Sequence, residues 1–234
     1  MSVSENLAAV RERIAAAAHR AGRHPGDIAL MAVTKTSPAE AIREAYTAGQ
    51  RLFGENRVQE FADKSPGLAG LQDAEFHLIG HLQSNKAARA AQLFNAVDSV
   101  DSLALARKLD AAAAKANRRV GVLVEINVGG EAAKSGIAPE SSELEELLTS
   151  APEFEHLEFR GLMTIPPFTE DPEGARPYFR VLRELRDRIA GRHLPGIRVY
   201  VLSMGMSHDF EIAIEEGSTC VRLGTAIFGQ RKQL

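Results

Sequence analysis

Three polar residues in the first third of the chain are of types that can bind or react with a small molecule. Lys35, Asn56 and His81 each come two or three residues after a short apolar run. A lysine amine can condense with an aldehyde or a ketone to give an imine. In α/β barrels such groups lie at the carboxyl ends of the strands. We therefore predict that Lys35 is the reactive group of a site, with Asn56 at the end of the next strand on the same face.

The C-terminal segment contains a second feature, two glycine-bearing turns that follow consecutive apolar runs. Their sequences are Ser203-Met204-Gly205-Met206-Ser207 and Arg222-Leu223-Gly224-Thr225. Backbone N–H groups and hydroxyls in such turns bind phosphate, and a pair of turns after the last two strands is the usual phosphate site of an α/β barrel. A lysine facing this site predicts a phosphorylated aldehyde or ketone held as an imine. Two chemistries then remain open: pyridoxal 5'-phosphate (PLP) and aldol cleavage of a sugar phosphate.

Eight apolar runs of strand length alternate with segments of helical periodicity, a pattern typical of parallel strands joined by crossover helices. The predicted strands are 28–33, 52–53, 76–79, 96–100, 120–126, 157–163, 197–202 and 220–223. The predicted helices between them are 38–49, 55–64, 83–94, 102–117, 139–150, 172–191 and 207–216. The pattern predicts an α/β fold, a (β/α)8 TIM barrel in a single domain, 1–234. An open doubly wound sheet is the alternative, but no G-x-G-x-x-G follows the first strand.

Several helix starts can also be predicted. An extra amphipathic helix over 4–22, capped by Ser4, should precede the barrel. Ser37 should cap the helix after Lys35, with Pro38 at the first helical position. Asp101 is well placed to cap the helix that follows the fourth strand.

Composition excludes several classes of protein. The 234 residues include 31 acidic and 28 basic side chains, so a formal charge of -3 gives no global field that would attract nucleic acid or an anionic membrane. Cys220 is the single cysteine, which excludes an internal disulfide and, with no cysteine–histidine spacing, a zinc site. No apolar stretch reaches the roughly 20 residues of a spanning helix. We expect a cytoplasmic protein that binds no metal.

Six motifs resemble those of the pyridoxal phosphate homeostasis protein family. They are AVTKTSPAEAI, LFGENRVQE, FHLIGHLQSNKA, VLVEINVGGEAAKSG, GLMTIPP and LSMGMSHDFEIAIEEGSTCVRLGTAIFG, in order along nearly the whole chain. The resemblance implies a barrel similar to the N-terminal domain of bacterial alanine racemases. It also implies that the bound cofactor is PLP.

The same resemblance implies a role for individual residues. Lys35 would carry PLP as a covalent aldimine, Arg222 would face the pyridine nitrogen, and Asn56 and His81 would lie near the ring. Phosphate binding would fall to the two C-terminal turns, that is to Ser203, Met204, Gly205, Ser207, Gly224 and Thr225. No catalytic residue is implied.

The identity of Arg222 bears on the reaction. A guanidinium is always protonated and only donates, so a pyridine nitrogen that accepts from it stays unprotonated. An unprotonated ring withdraws electrons less well, and PLP enzymes that need full delocalisation place a carboxylate there. The alternative for Arg222 is a salt bridge to Glu211 or Glu215.

Three functions are compared. The first is a non-catalytic PLP carrier that supplies apo PLP-dependent enzymes and so affects amino acid metabolism. The second is an amino acid racemase, which needs a second base opposite Lys35. In the racemases that this chain resembles, a tyrosine of a C-terminal β-domain is that base. Here the chain ends at Leu234, and the tyrosines lie in predicted helices or inside a strand, at positions 46, 178 and 200.

The third function is a Schiff-base aldolase, for which Glu55 is the only strand-end carboxylate near Lys35. We favour the carrier, with the racemase as the alternative. A monomer is expected, with a weak dimer as the other state.

Overall fold

The computed structural model describes residues 2–131 and 134–229. Its eight β-strands are β1 (Ala29–Val33), β2 (Leu52–Glu55), β3 (Glu75–Leu78), β4 (Ala96–Val100), β5 (Val120–Glu125), β6 (Leu157–Met163), β7 (Ile197–Ser203) and β8 (Cys220–Leu223). Each strand pairs in parallel with the next, and β8 pairs with β1, so the sheet closes into a barrel. The predicted (β/α)8 barrel with an extra N-terminal helix is confirmed.

Helices surround the barrel. They are α1 (Val3–Arg20), α2 (Ala39–Thr47), α3 (Val58–Lys64), α4 (Ala87–Leu93), α5 (Leu103–Lys115), α6 (Ser142–Thr149), α7 (Arg176–Gly191), α8 (Phe210–Glu215) and α9 (Thr225–Phe228). The extra helix α1 packs on α8, α9 and α2, and Asn6 Nδ2 donates to the Ile227 carbonyl at 2.8 Å. No helix of the described ranges is long and apolar enough to cross a bilayer.

Three of the predicted helix starts are wrong. Ser2, rather than Ser4, caps α1, because Ser2 and Glu5 form a reciprocal capping box. Ser37 does not cap α2, since the cap position is Pro38 and makes no side-chain hydrogen bond. Ser102, rather than Asp101, caps α5 by accepting from the Leu105 N–H at 3.2 Å.

Alternation along the strands divides the apolar side chains between two layers. In β1, Ala32 packs outwards with the helices in the main core, whereas Met31 and Val33 belong to a small inner cluster with Ile79 and Cys220. This alternation is the period of two that any strand imposes. The inner layer is small because polar side chains occupy the rest of the barrel interior.

Candidate functional site

Lys35 lies two residues beyond β1, in the turn that leads to α2. The turn lies at the mouth formed by the carboxyl ends of the strands, two residues beyond Val33, which faces the barrel interior. The residue is exposed. An amine at the open mouth is accessible to a small molecule from solution.

The turn after β8 lies directly beside the end of β1. Met31 is paired in register with Arg222, and a Cβ placed on Gly224 would lie 3.3 Å from the Val33 carbonyl oxygen. The second of the two predicted phosphate turns is therefore next to the strand end that carries Lys35. Thr225 is exposed and begins α9, which has only four residues.

The turn after β7 is tightly built around Gly205. The φ of Gly205 is +95°, and a Cβ there would lie 2.6 Å from the Ala213 Cβ, so a side chain cannot be accommodated. The Met204 N–H donates to the Cys220 carbonyl at 3.1 Å, and the Met206 N–H donates to Asp209 Oδ1 at 2.6 Å. These two N–H groups are already used. The amides available to an anion in this turn are those of Gly205 and Ser207, for which the described residues supply no acceptor.

Two side chains of the same turn, those of Ser203 and Met204, are buried inside the protein. Met204 is fully buried and packs in the main hydrophobic core, so only its backbone lies in the turn. Ser203 is also fully buried, and its hydroxyl accepts from Arg222 Nη1 at 2.7 Å. Helix α8 begins at Phe210 rather than at the predicted position 207, which leaves Ser207 in the turn.

Arg222 is a guanidinium enclosed in the barrel. In addition to its bond with Ser203, its Nη2 donates to the Thr164 carbonyl at 2.8 Å. Burial lowers the pKa of Arg222, yet an arginine remains protonated in proteins. The alternative of a surface salt bridge is wrong, because Glu211 and Glu215 pair instead with three other arginines, Arg13, Arg20 and Arg176.

Asn56 lies at the mouth beside the end of β2. Gly54, two residues earlier, faces the interior, where a Cβ would lie 2.7 Å from Met31 Sδ, so alternation directs Asn56 to the same side. Its Oδ1 atom is buried and has no hydrogen-bond partner in the structure. Most buried acceptors in proteins are hydrogen-bonded, so this atom is free to accept a hydrogen bond from a ligand or from water.

His81 lies in the loop after β3, and its side chain is 54% exposed. Its Nδ1 lies 3.1 Å from Asp101 Oδ2 and 3.4 Å from Ser135 Oγ. The Asp101 carboxylate therefore orients the ring instead of capping α5. Residues from three consecutive loops of the mouth meet at this histidine.

The sequence prediction missed one ionisable group of the mouth, Glu125. It ends β5, is 7% exposed, and its Oε2 has no partner in the structure. Burial raises the pKa of Glu125 to about 7, and Asp101 adds to the increase, although Arg222 and His81 oppose it. A carboxylate in a run of alternating valines was the available signal, because one face of such a strand must point into the barrel.

No group of three or more His, Cys, Asp or Glu side chains capable of holding a metal ion occurs in residues 2–131 and 134–229. A hollow of about 450 Å³ adjoins the mouth and is lined by His81, Asp101 and Lys108 among others. A larger hollow of about 620 Å³ lies at the opposite end, next to the starts of β5 and β6, and contains none of the predicted site residues.

The closed parallel barrel and the sequence together assign the class of this protein, a barrel of the type found at the N-terminus of alanine racemases. Residues 6–232 match the sequence profile of the family described as alanine racemase, N-terminal domain. Within that class, the chain belongs to the pyridoxal phosphate homeostasis protein family. The resemblance found in the sequence motifs is confirmed.

Three similar proteins support this assignment. The pyridoxal phosphate homeostasis protein of Aquifex aeolicus is 47% identical over 232 residues, which cover 99% of this chain and 100% of that protein. The Escherichia coli K12 protein of the same name is 45% identical over 98% of this chain and 97% of its own length. The structure of PipY from Synechococcus elongatus PCC7942 with PLP bound superposes with a TM-score of 0.85, at 37% identity, over 97% of this chain and 100% of PipY.

Proposed function

We propose that this chain binds PLP at the mouth of its barrel, covalently through Lys35, and acts as a non-catalytic carrier in PLP homeostasis. The observation that carries the proposal is the proximity of the Lys35 strand end to the turn at Gly224. A primary amine and the proposed anion site would thereby lie on one face. PipY, a relative of similar length, has been solved with PLP bound.

The residues of the mouth fit this cofactor. The unpartnered Asn56 Oδ1 and the available amides of Gly205 and Ser207 are unsatisfied polar groups of the kind that a ligand completes. Arg222 has five N–H donors, of which two are used by Ser203 and Thr164. When bound, PLP supplies an aldehyde that reacts with amines and a conjugated ring that withdraws electrons.

Each side chain then has a definite task. Lys35 offers the amine, and the two C-terminal turns would bind the phosphate through the amides of Gly205 and Ser207 and the hydroxyl groups of Ser203 and Thr225. Arg222 would donate to the ring nitrogen and keep it free of a proton. Asn56 and His81 would contact the ring from the neighbouring loops.

The racemase alternative lacks a tyrosine at the mouth that could serve as the second base. All three tyrosines lie within the described structure, and none follows the carboxyl end of a strand. Tyr46 is on α2 and donates its hydroxyl to Asp73, Tyr178 is on α7, and Tyr200 is within β7.

The proposal is tested in two steps. The purified protein is first loaded with PLP, and we expect a visible absorption band that is lost in Lys35→Ala. The loaded protein is then mixed with an apo PLP-dependent enzyme. Recovery of enzyme activity faster than spontaneous release of PLP supports a carrier, whereas recovery at the release rate contradicts it. Turnover of any amino acid in a racemisation assay would contradict the non-catalytic role.

A further inference from the structure

A cluster of charges, of which one is buried and two are half-buried, contacts the turn that carries Lys35. We name it the turn clamp, and it consists of Glu55, Glu60 and Lys64. Lys64 Nζ lies 2.9 Å from Glu55 Oε1 and 3.2 Å from Glu60 Oε1, and the Lys64 side chain is only 12% exposed. The clamp lies on the outer side of β2, away from the barrel interior, because Glu55 alternates with Gly54.

Lys64 binds the turn itself as well as the two carboxylates. Its Nζ donates to the Thr34 carbonyl at 3.0 Å and to the Ser37 carbonyl at 3.3 Å. These carbonyls belong to the residues at the two ends of the turn. A single ammonium group therefore connects both ends of the segment in which Lys35 lies.

The carboxylates hold the two residues that flank Lys35 in sequence. Glu55 Oε1 accepts from the Thr34 hydroxyl at 2.6 Å, and Glu60 Oε1 accepts from the Thr36 N–H at 2.5 Å. Thr36 has a φ of +64°, which a β-branched residue adopts only when its surroundings impose it. Glu60 therefore binds the residue of the turn that has the unfavourable backbone conformation.

Burying the Glu55 carboxylate without partners would cost folding free energy. The contacts of the turn clamp must therefore form together. Burial raises the pKa of Glu55, while the bonds from Thr34 and Lys64 act in the opposite direction. The Oε2 atom of Glu55 has no partner in the structure.

We propose that Lys64, through the turn clamp, is a positioning residue that sets the direction in which Lys35 leaves the turn. This inference rests on the proposed covalent link between Lys35 and PLP. Lys64 itself lies outside the mouth and would not touch the cofactor. Orientation matters because a reacting amine must be held close to its attack geometry.

The first test uses the cofactor-free protein. Lys64→Met keeps the length of the side chain and removes the ammonium group, and Lys115→Met on the exposed end of α5 is the matched control. Amide hydrogen exchange in the peptide covering residues 34–38 should be about tenfold faster in Lys64→Met and unchanged in the control. Peptides from β5 should exchange as in the wild type. Unchanged exchange in the turn, or faster exchange in all peptides, would overturn the positioning role.

The second test measures release of PLP from the loaded proteins into an excess of a trapping apo-enzyme. We expect release to be roughly three- to tenfold faster from Lys64→Met, with partial rescue in Lys64→Arg. Glu60→Ala provides a second variant should Lys64→Met fold poorly, and it should loosen the same peptide. If the wild type binds PLP and the variants show wild-type hydrogen exchange and PLP release, the positioning role of Lys64 is refuted and the carrier function is not affected. Failure of the wild type to bind PLP would refute the carrier function and the clamp with it.

Discussion

The substitution Glu125→Gln should change how the stability of the protein depends on pH. The Glu125 carboxyl is buried at the end of β5, and burial raises its pKa from 4.5 to about 7. At a pH between these two pKa values, Glu125 is therefore protonated in the folded state and ionised in the unfolded chain. The contribution of this proton to the free energy of unfolding is fully present below pH 4.5 and is lost as the pH rises to about 7.

The magnitude follows from the same interval. At about 1.4 kcal/mol per pH unit, the interval from 4.5 to about 7 corresponds to roughly 3.5 kcal/mol of unfolding free energy. A glutamine does not titrate, so the variant should not show this loss. Because pH 5 already lies inside the interval, we expect the stability of Glu125→Gln relative to wild type to increase by roughly 2.5 kcal/mol from about pH 5 to about pH 8.

Urea unfolding of the cofactor-free proteins at the two pH values measures the difference directly. Glu12→Gln, at an exposed position on α1, is the matched control and should show no change between them. Because the other ionisable groups are common to both proteins, their titration largely cancels in the comparison. A difference between wild type and Glu125→Gln that is equal at both pH values would refute the reasoning.

Three further predictions concern the barrel interior and the mouth. Burial lowers the pKa of His77, but the Asp98 carboxylate outweighs this effect and raises the pKa to about 9. An NMR titration of the His77 ring should therefore have its midpoint near pH 9, and the midpoint should be lower in Asp98→Asn. Burial raises the pKa of Cys220 to about 12, so the native protein should react with maleimide at least about 100-fold more slowly than the unfolded chain; equal rates would contradict this. A Cβ on Gly80 would lie 2.2 Å from the Asn56 carbonyl oxygen, so Gly80→Ala should cost about 1–3 kcal/mol in urea unfolding, and an unchanged midpoint would contradict the close approach.

The barrel could be predicted because its strands leave a strong local signal. Strands with helices on one face and a packed interior on the other are nearly continuous apolar runs, and all eight runs correspond to strands. The predicted boundaries were less accurate where a buried polar residue ended a strand. The second strand extends to Glu55, which is buried only because Thr34 and Lys64 supply partners from elsewhere in the chain.

Helix starts show a similar limit. The chain offers both Ser2 and Ser4 as caps for α1, and the deciding feature is the Glu5 side chain three residues after Ser2. This capping box was present in the sequence as S-x-x-E. At α5, the adjacent Asp101 and Ser102 are equivalent candidates in sequence, and the pairing of Asp101 with His81 decides between them.

The positions of the proposed site residues in the fold were predictable to the extent that these residues follow strand ends. The barrel topology alone brings Lys35 and Gly224 to one face, since β8 must close onto β1. Glu125 and the turn clamp were missed because their significance depends on contacts between residues distant in sequence. The orphaned oxygen of Asn56 is likewise a property of the packed mouth and cannot be read from the chain.

The central claim is that Lys35 is the residue that carries PLP. The most direct measurement is to load the wild-type protein with PLP, reduce it with borohydride, and identify the modified lysine by mass spectrometry of its peptides. We predict that the reduced adduct lies on Lys35 and that Lys35→Ala yields no stoichiometric adduct. An adduct on any other lysine in the wild type, or undiminished labelling of Lys35→Ala, would contradict the account.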